Sequence, residues 1–551
     1  MKTICSNPKY GFLTISLILI TVMGIGQTFS YNSDADNGKR QYRYSDSFTD
    51  YEVQVKGDIA VSDDDKRITS ISPGGYLKIS KKTFGNNRSI IIESDASGQL
   101  NYKYYEGRNE VPYDPEGKKW LSEVLLDVIR ITGIDAEGRT KRIYNQLGIH
   151  GFLGEMDEIS SNSVMSLYFE ALLDNFKLAE NEINLTGSAI ADKMSSNSER
   201  GELFREYSDI FMSTNQTTTV YFNNVSKLSS NSERGSVLRK ISKEIDFNDP
   251  QVTEAYFGCI DRLSSNSEAG SVMRYVEQTQ NLSENAYCRL LMSVNKLSSN
   301  TEMGAVLRSL DKLNLSNPEI LSAYFDAIDQ MSSNTEAGNT MRSLIRNYTM
   351  NDEIYVRLLG SVKKLSSNTE MGSVLRSIDR LNLENDRVNE AYFLAVNSMS
   401  SNTEAGSVLR YAIKNFNLNM DSWNKMFIAV SKLSSSTEMS IVMQDAIGKM
   451  PFVKPVIDAF YDAADHIVSN TEKSRVLQEM VENQKLDKYA TIGLIECAGR
   501  MTSNTEKSVV LRKVADTPFI ADTEVKDAYV AAAKTISTDS EYRRVIDKLV
   551  Q

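Results

Sequence analysis

The stretch KLSSNTEMGSVLRSIDRLNL, residues 364–383, stands almost letter for letter at 296–315 as KLSSNTEMGAVLRSLDKLNL. A catalytic centre needs its special residues once, so a copy of this fidelity speaks for architecture. Outward from it, the central Asn or its stand-in recurs at Asn162, Asn197, Asn231, Asn266, Asn300, Asn334, Asn368, Asn402, Ser436, Asn470, Asn504 and Asp539, in steps of 34 or 35 residues. That length holds two helices and two turns, and self-similarity at such a period marks a solenoid. The expected fold is mainly α: a right-handed-type α-solenoid of about twelve 34-residue helix-turn-helix repeats over 160–551, capped at the N-terminal side by a small antiparallel β module.

Each repeat parses into the same parts. Ser299 with Glu302, Ser333 with Glu336 and Ser367 with Glu370 have the Ser-x-x-Glu spacing of a capping box that opens a first helix, helix A. Their Asn is read as a cap by the same argument. Four places after the Asn comes Gly201, Gly235, Gly270, Gly304, Gly338, Gly372 or Gly406, then Ser440, Ser474 and Ser508. Glycine inside a helix costs about 1 kcal/mol relative to alanine, so its recurrence implies close approach of a neighbouring helix. The second helix, B, carries aromatic pairs such as Tyr256–Phe257, Tyr324–Phe325 and Tyr392–Phe393, read as core. TEMG at 301 and 369 alternates with TEAG at 335 and 403, so the true unit is doubled and tandem duplication is its simplest origin.

The recurrent arginine has no such immediate role. Arg239, Arg274, Arg308, Arg342, Arg376 and Arg410 stand eight places after the Asn, and stacked repeats align them in a row. Two readings stay open. They form an inter-repeat salt-bridge ladder, or they are a candidate strip that recognises an acidic or extended partner.

Residues 116–159 read as capping helices, beginning with GKKWLSEVLLDVIRITG, and 48–115 as the β module, with runs such as YLKIS and RSIIIES between turn signals. Residues 31–47, polar and without an apolar period, read as a flexible linker. Lys2 and Lys9 ahead of an apolar run from Tyr10 to Met23 read as a signal segment over 1–30, with cleavage after Gly26 or Ser30. This predicts an exported chain, periplasmic or extracellular, that meets a membrane only if the segment is uncleaved.

Composition narrows the function. The 62 basic residues are outnumbered by 73 acidic ones, a net charge of -11, which argues against a nucleic-acid partner. His150 and His466 lie far apart and in no metal-ligand spacing, and no phosphate loop or nucleophile motif occurs. No catalytic residue, metal or cofactor is expected. Cys259, Cys288 and Cys497 are an odd, scattered set and read as buried thiols.

ISPGGYLKISKKTFG at 71–85, YDPEGKKWL at 113–121 and the iterated SSN(T/S)E motif carry a family resemblance. From about residue 48 the chain resembles uncharacterised exported bacterial helical-repeat proteins. It is also similar to the extracytoplasmic region of some β-lactam-sensor-type membrane metallopeptidases, and the repeats are HEAT-like in form. The protease part of that family, with its membrane spans and zinc motif, is absent, so no catalytic residue carries over. The resemblance implies an exterior-facing sensory or partner-binding module. The expected function is an exported, non-catalytic scaffold binding a protein or peptide in the cell envelope. A carboxylate-based hydrolase acting on envelope glycan, or a purely structural envelope protein, are the alternatives.

Overall fold

The structure is a computed structural model that describes residues 28–34 and 38–550. The signal segment expected over 1–30 falls mainly on residues 1–27, outside the described residues. The chain divides into two compact units, residues 1–263 and 264–551.

The first unit opens with nine strands: β1 (Thr28–Asp34), β2 (Lys39–Ser45), β3 (Thr49–Lys56), β4 (Ile59–Val61), β5 (Ile68–Ile71), β6 (Tyr76–Thr83), β7 (Asn86–Ser94), β8 (Leu100–Glu106) and β9 (Asn109–Val111). Seven form one antiparallel sheet in the order β1-β2-β3-β6-β7-β8-β9, and β4 pairs with β5 apart from it. Period-two alternation sends Val53, Val55, Leu77, Ile79, Ile90 and Ile92 to one face, where they bury against Trp120, Leu121, Val124 and Val128 of helix α1 (Lys118–Thr132). The expected linker at 31–47 is corrected: its described residues are largely β1 and β2. The signal there is carried by tyrosines. Tyr42 is buried opposite Val53, and its ring lies 5.0 Å from that of Tyr31, so aromatic strand formers supply the alternation that aliphatic residues supply elsewhere.

Helix α2 (Ala136–Met156) breaks at Gly148, whose φ is +63°. A charged knot ties the sheet module to the helices that begin the repeats. Arg139 bonds Asp65 at 2.8 Å, Glu155 at 2.7 Å and the Tyr168 hydroxyl at 3.2 Å, while Arg130 bonds Glu155 at 2.8 Å. Burial disfavours the Glu155 charge, but the two arginines outweigh it and hold the carboxyl below its usual range. This unit holds three repeats, their A helices beginning at Asn162, Asn197 and Asn231.

The second unit is helical repeats. Its A helices begin at Asn266, Asn300, Asn334, Asn368, Asn402, Ser436, Asn470, Asn504 and Asp539. A helices of successive repeats pack side by side, and B helices do the same. The doubled period has a structural meaning. Helices Asn266–Thr279, Asn334–Asn347 and Asn402–Asn415 have 14 residues, but Asn300–Ser309 has 10 and Asn368–Leu375 has 8. In the short ones Ser309 and Ser377 donate to the carbonyls of Val306 and Val374 at 2.7 Å, a local bond that competes with the helix. The chain then turns through Leu313–Leu315 and Leu381–Leu383, whose leucines are buried. Tyr324, Phe325 and Tyr392 are fully or almost fully buried, so the B-helix aromatics are core. Cys259, Cys288 and Cys497 are free thiols.

Candidate partner-binding surface

The recurrent motif meets itself from one repeat to the next. Ser299, Ser333 and Ser367 are N-caps whose hydroxyls accept the N–H of Glu302, Glu336 and Glu370 at 3.3 Å. The other half of the expected capping box is corrected. Those glutamate side chains do not fold back on their own cap. They reach the arginine of the preceding repeat: Arg274–Glu302 at 3.0 Å, then Arg308–Glu336, Arg342–Glu370 and Arg376–Glu404, each at 2.9 Å. Arg410–Glu438 continues the series loosely at 4.0 Å, and Arg205–Glu233 forms the same pair in the first unit at 2.7 Å. Arg239 holds the equivalent register on helix Asn231–Ile241. The strip expected at Arg274, Arg308, Arg342, Arg376 and Arg410 is thus a ladder of partly buried ion pairs, in which one guanidinium nitrogen of each arginine meets one carboxylate oxygen of the next repeat.

The ladder explains the glycine, and corrects its expected role. A Cβ at Gly304 would lie 2.7 Å from the Glu336 carboxylate and 2.6 Å from the Arg308 guanidinium. What the glycine admits is an ion pair rather than a neighbouring backbone. At two of the three serine positions the arginine changes too: Ser440 and Ser474 stand with Gln444 and Gln478, and each glutamine donates to its serine at 2.9 and 3.0 Å, while Ser508 keeps Arg512, which donates to the Ser508 carbonyl at 3.4 Å. Gly304→Ser alone is therefore expected to cost about 1 kcal/mol by displacing a partly buried pair. Adding Arg308→Gln should recover much of that loss. A double-mutant cycle read by urea unfolding should show coupling of about 1 kcal/mol; strict additivity would contradict the ladder.

The asparagine forms a second ladder that its reading as a cap missed. It is the first helical residue, not the cap, and its amide reaches the next repeat. Asn368 Nδ2 donates to Ser400 Oγ at 3.0 Å, while its Oδ1 accepts the N–H groups of Ser400 and Ser401 at 2.8 and 3.1 Å. Asn334 repeats this with Ser366 and Ser367, and Asn470 with Thr502 and Ser503. Its signal in the sequence was recurrence of a side chain that a serine-capped helix has no local need for.

The recurrent residues are thus spent between repeats, and the exposed positions that vary lie elsewhere. One B-helix position recurs every 34 residues on the outer surface of the second unit: Met292, Asp326, Gly360, Leu394, Ile428, Asp462 and Glu496. Met292, Leu394 and Ile428 are 55%, 44% and 53% exposed, large apolar side chains interspersed with acids. Neighbouring B helices are pinned beneath by Arg357, which bonds Asp326 at 2.8 Å and Asp329 at 3.0 Å, and by Lys425 between Glu390 and Asp421. In the first unit the same register is Gly258, and there a groove of about 500 Å³ opens, lined by Phe222, Glu254, Cys259 and Arg262 among others. Burial pushes the Cys259 thiol up to about 12, against the pull of Arg234 and Arg262, so it is a neutral packing group. Among the described residues no group of His, Cys, Asp and Glu is placed to hold a metal ion, and no helix is long and apolar enough to cross a membrane.

This geometry defines a helical-repeat protein with an N-terminal antiparallel sheet. No family model matches the chain, and no curated protein matches it. Among solved structures it is similar to a homology model of the full-length AP-3 complex in an intermediate open conformation (16% identity, 79% of this chain and 90% of that chain, TM-score 0.28). It is also similar to the Chs5-Bch1 exomer cargo adaptor complex (10% identity, 86% and 84%, TM-score 0.16). A third likeness is to the pentatricopeptide repeat protein PPR10 in complex with an 18-nt psaJ RNA element (12% identity, 80% and 87%, TM-score 0.18). At these TM-scores the likenesses carry no argument about function, and the solenoid stands on the chain's own repeats.

Proposed function

We propose that the protein is an exported, non-catalytic α-solenoid scaffold that binds a protein or peptide partner through the B-helix row of its second unit. The carrying observation is the division of labour within the repeat: recurrent residues bond repeat to repeat, while the exposed row differs from repeat to repeat and carries the large apolar Met292, Leu394 and Ile428 together with the acids Asp462 and Glu496. Exposed large apolar side chains among acids fit an extended or helical segment that is apolar and basic. Export is supported by Lys2, Lys9 and the apolar run that follows them, and by the resemblance to extracytoplasmic modules. A cut after Gly26 leaves all of β1 in place, whereas a cut after Ser30 removes Thr28–Ser30 and their pairing with Ser45, Tyr44 and Arg43.

A photo-crosslinking residue placed at 394 or 428 in living cells is expected to give one discrete adduct. The same residue at Thr369, exposed at the start of a helix A, should give none. Adducts only to further copies of the chain would favour a structural envelope protein, and equal labelling from 369 would remove the B-helix row as the docking surface.

A further inference from the structure

Strand register brings several features to one end of the large sheet. Thr28, where the described chain enters β1, pairs with Ser45, Ser45 with Asp50, and Asp50 with Lys82. The β2–β3 turn bearing Phe48 and the β6–β7 turn bearing Phe84 therefore lie together, and the pairing of Arg88 with Glu106 adds the β8–β9 turn with Arg108. Phe48 is 64% exposed and Phe84 81%, with ring centroids 5.6 Å apart.

Both rings are held out by defined turns. The Asp46 carboxylate accepts the N–H groups of Phe48 and Thr49 at 2.9 and 2.8 Å. Phe84 has φ +47° and Gly85 φ +88°, the two-residue hairpin geometry that prefers Asn-Gly. A bulky side chain is disfavoured in the left-handed region, so this turn keeps phenylalanine against local preference, as functional sites do. The surrounding charges nearly cancel: Lys81, Lys82, Arg88 and Arg108 face Asp46, Asp50, Glu106 and Asp127. Attraction to a charged surface is thus weak, and the rings themselves are what this end offers.

Only four residues separate the apolar run ending at Met23 from Thr28. At no more than about 3.5 Å per residue, the end of that run stays within roughly 18 Å of Thr28, which the sheet order places one to three strand spacings of about 5 Å from the two turns. We propose that this end of the sheet is a membrane-contact face that sets Phe48 and Phe84 into the interfacial layer of the bilayer. Amphipathic segments that lie on membranes present phenylalanine in the same way. The proposal takes the proposed export in its uncleaved form, in which residues 10–23 stay in the bilayer and the full-length chain is the form that meets the membrane.

The test uses full-length chain reconstituted into phosphatidylcholine vesicles and does not depend on cellular location or on a partner. Trp120 and Trp423 are buried, so Phe84→Trp and Phe48→Trp each add one exposed reporter. Their emission should move to shorter wavelength and be quenched by brominated lipid, insensitive to added salt, while Leu147→Trp, at a position 66% exposed, should show neither change. Unquenched emission from both reporters overturns the assignment. A blue shift without lipid quenching also overturns it, since the rings would then be covered by protein, either a partner or residues 10–23. Phe84→Asn should raise the unfolding midpoint by relieving the turn, showing that phenylalanine is not there for stability.

Discussion

Replacing Asn334, Asn368 and Asn402 together with alanine is expected to break the second unit's cooperative unfolding into two transitions. The three side chains make eight hydrogen bonds across three successive repeat junctions, at distances from 2.7 to 3.2 Å. Five of those bonds satisfy backbone N–H groups of the next repeat's SSN turn, which alanine leaves to water. A net value of about 0.5–1 kcal/mol per bond gives roughly 4–8 kcal/mol for the set. That is comparable with the whole stability of an ordinary domain. In a repeat array the loss falls on nearest-neighbour interfaces, so the segments on either side uncouple. Urea unfolding followed by helical circular dichroism should show a second, shallower transition, and amide exchange should accelerate at Ser366, Ser400 and Ser434. A uniform midpoint shift with an unchanged slope would mean that the ladder adds stability without coupling the repeats.

Glu277→Ile is expected to give the largest gain in stability, and to remove a pH dependence. Glu277 is 2% exposed, and its Oε1 has no hydrogen-bond partner. In the equivalent repeats Ile345 and Ile413 occupy its register. Burial, and then the charge of Asp311 and a hydrogen bond with its side chain, push its carboxyl above the usual range, with Lys312 and a hydrogen bond from the Asp311 backbone opposing; the buried Tyr287 hydroxyl nearby is unpartnered and pushed up to about 12. A raised carboxyl means that the folded chain holds this proton to higher pH than the unfolded chain does. The native state is thus favoured most below the ordinary carboxyl range, and that advantage is lost as pH rises through the raised value. Isoleucine removes both the buried charge and its titration. The expected gain is about 1–3 kcal/mol at pH 8 and less at pH 4, measured as unfolding midpoints at the two pH values. An equal gain at both would show that Glu277 does not titrate between them.

Most of the fold was legible because the motif repeats. Every A helix begins where the SSN register places it, and the B-helix aromatics are core. The sheet was read short at its N-terminal side, since Tyr31, Tyr42 and Tyr44 alternate without aliphatic neighbours. The candidate site was legible only as an ambiguity. Arg308 and Glu336 lie 28 residues apart, and nothing local says whether they meet, because pairing across repeats depends on how one helix A lies against the next.

The sequence by itself determined the period, the helix starts and the core. Each is a local property, set by a serine cap, by apolar spacing and by a stretch that cannot bury its own face. Only the tertiary structure decided where the side chains of Glu336 and Asn368 are spent and why Gly304 must lack one, because the groups they meet belong to the adjacent repeat. It also decided that the arginines of KLSSNTEMGSVLRSIDRLNL and of its copy at 296–315 are paired with the next repeat's glutamate, while Met292, Leu394 and Ile428 of the B helices stand exposed.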